Sequence, residues 1–213
     1  MNDHSQPLTD TEFESALIGA AFALGAEQGW ARVSPAAAAR FGALDLVRAR
    51  TLFPCTGSIL KKFGRQADIA AMSYLTTEGT AKDRLFDILL SRFDYLQLHR
   101  AGVSALMRYL PLCPPLALVL AEMNITSMGW LLEGAGIDAT GLSGGLRKRG
   151  LLVVWLYALR VWSSDESPDL TATMAAVDTA LAKVEGLVAR FGSKSSNMSG
   201  SVNEDVESVS LSE

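Results

Sequence analysis

From Thr11 to Phe191 apolar residues recur at helical spacing, and no stretch shows the two-residue alternation of a convincing strand. This restricts the chain to an all-α fold. Start and stop signals divide it into successive helices. The first spans Thr11 to Gln28, with Phe13, Leu17, Ala20, Ala21 and Leu24 on one face and Gly29 as its stop. Ser34-Pro35 reads as an N-cap followed by a first-turn proline and opens a short helix to Phe41. Gly42 makes a turn. Asp45 caps a third helix, Leu46 to Phe53, which Pro54 closes, and a fourth runs from Gly57 to Tyr74.

A second block starts at Thr80, where Thr80 and Asp83 stand at capping-box spacing with Asp in place of the usual Glu. Leu85, Phe86, Leu89, Phe93 and Leu96 form an apolar stripe. His99-Arg100 marks a bend before a helix to Leu110, and Pro111, Pro114 and Pro115 break the chain. A long helix, Leu116 to Glu133, ends at Gly134 and Gly136. Gly141 to Gly145 reads as a turn, with the next helix starting at Ser143. Ser167-Pro168-Asp169 caps the last helix, where Leu170, Met174, Val177, Leu181, Val184 and Val188 lie at a/d spacing. That seam calls for a partner helix, inside the chain or, as favoured on spacing, across a dimer interface. The resulting division is a disordered N-terminus (1–10), a helix-turn-helix domain (11–74), a larger helical domain that carries the dimerisation seam (80–191), and a disordered acidic Ser-rich tail (192–213).

The longest uncharged apolar run, Leu151 to Leu159, has nine residues. A bilayer-spanning helix needs about 20, so no transmembrane segment is expected. Residues 1–11 hold acids and no apolar core of a secretory signal. Two widely spaced cysteines, Cys55 and Cys113, fit a reduced compartment. The expected location is the cytoplasm, with peripheral membrane association allowed.

Net charge is −4, yet Trp30 to Arg65 holds seven cations against Asp45, a local +6. In a helix-turn-helix this suits phosphate contact. Arg48, Arg50 and Thr51 are then the base-reading candidates, and Lys61 and Lys62 add cations in the next helix. The competing reading is a helical subdomain that keeps the shape without the DNA.

Catalysis finds little support. His4 and His99 are the histidines, and His99 at a bend fits packing better than acid–base work. No HExxH, CxxC, GxSxG or phosphate-cradling loop occurs. Asp165, Glu166 and Asp169 sit where a helix N-terminus favours carboxylates, so capping is preferred to metal binding. A non-enzyme without metal or cofactor is expected. The run Leu151 to Leu159 is apolar all round and should be central in a bundle, either as ordinary core or as the wall of an apolar pocket. Met107, Met128, Trp155, Leu156, Leu159 and Trp162 are the candidate lining residues.

Two resemblances follow. Residues Ala16 to Asp68, with ALIGAAFALGAEQGW, the VSPAAAARFGAL turn and Phe53-Pro54, resemble the DNA-binding end of TetR-family regulators. Arg48-Ala49-Arg50-Thr51-Leu52-Phe53 replaces that family's usual aromatic-bearing recognition helix. The chain from the first helix to about Val188 is similar to the TetR-like lipid-binding accessory family of ubiquinone biosynthesis. The match lies in Asp45 with Ala49 to Pro54, in Asp83-Arg84-Leu85, in Leu98 with Gly102-Val103, and in Trp130 with Gly134. Most specific is Arg147-Lys148, Trp162 and Asp165-Glu166-Ser167-Pro168-Asp169-Leu170. This resemblance implies a TetR-like all-α homodimer that binds an isoprenoid or quinone-like lipid. It would present a quinone precursor to a partner hydroxylase of that pathway, with Trp130 on the partner-facing surface. That family ends in an amphipathic membrane-docking helix, whereas Ser193 to Glu213 here is polar and acidic.

Overall fold

The computed structural model describes residues 8–186 apart from 74, 76 and 77. Helices are α1 (Asp10–Gln28), α2 (Pro35–Phe41), α3 (Leu46–Leu52), α4 (Thr56–Met72), α5 (Ala81–Gln97), α6 (Arg100–Tyr109), α7 (Pro114–Gly134) and α8 (Gly141–Ser164), followed by α9 (171–186). No strand occurs among the described residues. The acidic tail and the first seven residues lie outside them, as does Val188 of the proposed seam. The chain forms two compact units, one ending at Leu152 and the other beginning at Val153.

The start signals are realised as hydrogen bonds. Ser34 Oγ accepts from Ala37 N–H at 3.1 Å, and Asp45 Oδ1 from Arg48 N–H at 2.6 Å. Thr80 N–H donates to Asp83 Oδ2 at 2.8 Å, and Thr80 Oγ1 accepts from Asp83 N–H at 3.2 Å, so the Asp version of the box closes. Such a cap contributes about 1 kcal/mol. Thr9 and Glu12 form a further box that starts α1.

In the first unit, α1 buries Phe13, Leu17, Ile18, Ala21 and Phe22, and packs on α2, α4 and α6. Each such Leu, Ile or Phe stabilises by about 1.5–3 kcal/mol when fully buried. The α1–α6 approach depends on a glycine. A Cβ at Gly102 would stand 2.5 Å from the Phe22 carbonyl oxygen. Across that contact Trp30 Nε1–H donates to the Gly102 carbonyl at 2.8 Å. His99 lies among Phe22, Phe63 and Tyr95, and burial lowers its pKa. This is the packing role expected of it.

Helix α4 packs on α1 and also on α5 and α7. At that second junction Asp68, Arg92 and Ser127 are buried together. Arg92 Nη2 stands 3.2 Å from Asp68 Oδ1, and Ser127 Oγ donates to Asp68 Oδ2 at 2.5 Å. Desolvation pushes the Asp68 carboxyl up, opposed by Arg92 and Ser127.

Three expectations change. Helix α8 begins at Gly141, so the glycines of 141–145 are helical rather than a turn. At Gly144 a Cβ would meet the Ala139 carbonyl carbon at 2.1 Å, so this close approach needs glycine. The run Leu151 to Leu159 is two-sided: Leu151, Val154, Trp155 and Ala158 are buried, but Val153, Leu156 and Tyr157 are exposed. Arg149 and Arg160 flank it, and the 3.6-residue period carries the stripe between them outward.

The third concerns the second unit, where Leu170, Thr173, Val177 and Leu181 are buried while Met174 is exposed. Thr173 takes the inward position that spacing gave to Met174, because Asp165 holds it there. Asp165 accepts from Thr173 N–H at 2.8 Å and from its hydroxyl at 2.7 Å, and also from Ser167. Those bonds, that from the Ser167 hydroxyl foremost, hold its carboxyl well below the usual range. Capping is thus what this acidic corner does.

Candidate nucleic-acid interface

Helices α2 and α3 are joined by Gly42 to Asp45, and α3 stands with Ala49 inward and Val47 outward, 75% exposed. Leu46, Arg50 and Thr51 share the exposed side. An open cleft of about 160 Å³ runs beside α3, lined by Pro35, Leu46, Arg50, Phe53 and Pro54 among others.

The five sequence candidates are placed differently. Arg48 turns back onto α1: it pairs with Asp10, Nη1 donates to the Leu8 carbonyl at 2.7 Å, and its guanidinium carbon lies 4.7 Å from the Phe13 ring centre. Lys62 pairs with Glu14. Arg50 Nη1 donates to the Pro54 carbonyl at 3.0 Å while staying exposed, and Thr51 Oγ1 donates to the Val47 carbonyl at 2.9 Å. Lys61 is exposed, as are Arg32, Arg40 and Arg65. Spacing alone missed the role of α1. Residues 10–72 hold seven cations and six acids, a net +1, because Asp10, Glu12, Glu14 and Glu27 offset much of the local +6.

Of the pocket candidates, Met107 is half-buried and Met128 fully buried, both in the first unit. In the second unit Trp155 and Trp162 are buried, Leu159 is half-buried, and Leu156 is exposed on the other side of α8. Leu156 therefore does not share the inward face of its neighbours. Trp130 is 63% exposed on α7. Among the described residues no group of three or more His, Cys, Asp or Glu side chains could hold a metal.

No family model matches the chain, and no curated protein matches it in sequence. Solved structures do match in shape. A TetR transcriptional regulator from Nitrosomonas europaea superposes with a TM-score of 0.63 at 18% identity, covering 80% of this chain and 96% of that one. A TetR-family transcriptional regulator from Streptomyces coelicolor gives 0.57 at 18% identity, covering 85% of each. The fold is TetR-like. The expected fold class therefore holds, while the resemblance to the ubiquinone accessory family has no counterpart among these matches.

Proposed function

We propose that this chain is a DNA-binding transcriptional regulator of the TetR type, a non-enzyme that works as a homodimer and senses an apolar effector. The observation that carries it is α3, held outward by the Asp45 cap and the buried Ala49, with Leu46, Val47, Arg50 and Thr51 exposed. Arg can read guanine, and apolar side chains can meet thymine methyls. Exposed Arg40, Lys61 and Arg65 supply phosphate contacts. The fold shared with two TetR regulators supports this reading. Trp155, Leu159 and Trp162, all of the second unit, are the proposed effector contacts. The test is fluorescence anisotropy with duplexes from the protein's own promoter against random duplex, across a salt series. Sequence preference with a steep salt slope supports the reading; equal, weak binding to both overturns it.

A second reading is favoured by a specific observation: Arg48 and Lys62, two of the five candidate contacts, are bound to acids of α1. A TetR-like fold with so reduced a reading surface suits a lipid-binding accessory protein of ubiquinone biosynthesis, the family that the Arg147 to Leu170 pattern resembles. Trp130, exposed on α7, is then the surface offered to a partner hydroxylase. Organic extraction of the purified protein, read by mass spectrometry, tests it. A stoichiometric isoprenoid lipid supports this reading, and a lipid-free protein that binds its promoter excludes it.

A further inference from the structure

Helix α7 is long and apolar enough to cross a bilayer by length and composition, yet 22% of its most apolar window is buried. A core helix of such composition would be covered. Its uncovered part is the N-terminal half, together with the single 3-10 turn Leu110–Leu112 that links it to α6. Leu112 is 78% exposed and Leu118 72%, and Pro111, Pro114, Pro115 and Val119 are also exposed.

We infer that this α6–α7 corner docks on the surface of an anionic lipid bilayer. Three observations favour lipid over a second protein. First, the exposed apolar groups lie on one side of the first two turns only, Pro114 with Leu118 and Pro115 with Val119. That side continues as exposed Glu122 and Thr126, so it is a short apolar end rather than the long stripe with which a partner helix pairs.

Second, the corner carries few backbone donors that need water. A helix start normally leaves four N–H groups unsatisfied. Here Pro114 and Pro115 have none and Cys113 N–H donates to the Leu110 carbonyl at 3.1 Å, so Leu116 supplies the remaining one of the four. Hydrocarbon penalises unpaired amides, so a donor-poor helix end is suited to shallow immersion.

Third, the charges match. No acid occurs between Asp94 and Glu122, while Arg108 is exposed and Tyr109 half-buried just before the turn. A cation and an amphipathic ring beside apolar side chains fit the headgroup layer. Glu122, exposed about one turn beyond Leu118, limits the depth, so the helix lies at the surface rather than crossing it.

Flotation of the full chain with phosphatidylcholine vesicles holding phosphatidylglycerol, against phosphatidylcholine alone, tests this. Wild type should float with the anionic vesicles and much less with the neutral ones. Leu112→Glu and Leu118→Glu, each at an exposed site and checked by circular dichroism, should each reduce binding at least about tenfold. Leu98→Glu, exposed just before α6 and away from the corner, should leave it unchanged. The inference is overturned if wild type does not float, if both corner variants float as well as wild type, or if those variants instead dissociate an oligomer with vesicle binding intact.

Discussion

Arg48 belongs to α3 but is bound to Asp10 at the start of α1, 38 residues away in sequence. Its guanidinium also covers the Phe13 ring. The residue joins two helices, and its guanidinium is taken up by α1 and the Leu8 carbonyl. Arg48→Ala should therefore leave the salt slope of DNA binding unchanged and cost less than about 1 kcal/mol of stability. Arg50→Ala and Lys61→Ala should each lower that slope by about 1. Anisotropy titrations at several salt concentrations distinguish them.

The buried Asp68–Arg92 pair is a liability when halved. Asp68→Ala leaves a buried guanidinium with a reduced set of contacts and should cost about 3–5 kcal/mol in urea unfolding. Asp68→Leu combined with Arg92→Met should recover most of that loss. A double variant as unstable as the single one would show that packing, not charge, governs this junction.

Asp165 gives the second unit a pH signature. Its folded-state pKa lies below the unfolded value of 3.8, so its contribution is present above about pH 4 and is lost as pH falls through the lower folded value. Asp165→Ala should cost about 1–2 kcal/mol near pH 7, as removal of a helix cap does. The gap between variant and wild type, read by denaturant titration, should narrow in strong acid. Asp68 works in the opposite sense: its raised pKa makes its contribution decline as pH rises through the folded value.

The exposed side of α8 predicts the oligomer. Leu142 and Leu146 are exposed in its first part, and Val153, Leu156 and Tyr157 in its second. Sedimentation equilibrium should find a dimer for wild type, and Leu146→Glu should shift it to monomer at micromolar protein.

Local chemistry was legible in the sequence. Ser34, Asp45 and Thr80 announce their helices because each cap bonds a residue three positions on. The all-helical class follows from such signals combined with periodicity, whereas the TetR-like arrangement came from the resemblance of residues Ala16 to Asp68. What spacing concealed was long-range. Asp10 and Glu14 lie far along the chain from Arg48 and Lys62, so a count over Trp30 to Arg65 overstated the charge around α3. Arg92 resembles any surface cation until Asp68 and Ser127 are brought beside it. Thr173 displaced Met174 from the seam through hydrogen bonds to Asp165, which a hydrophobic pattern does not register.

The four tryptophans make the chain its own optical probe. Trp30, Trp155 and Trp162 are buried, while Trp130 meets water. Red-edge emission and acrylamide quenching therefore report chiefly on the α7 surface. A partner that covers Trp130 will blue-shift the spectrum and protect it from quencher, with no label attached.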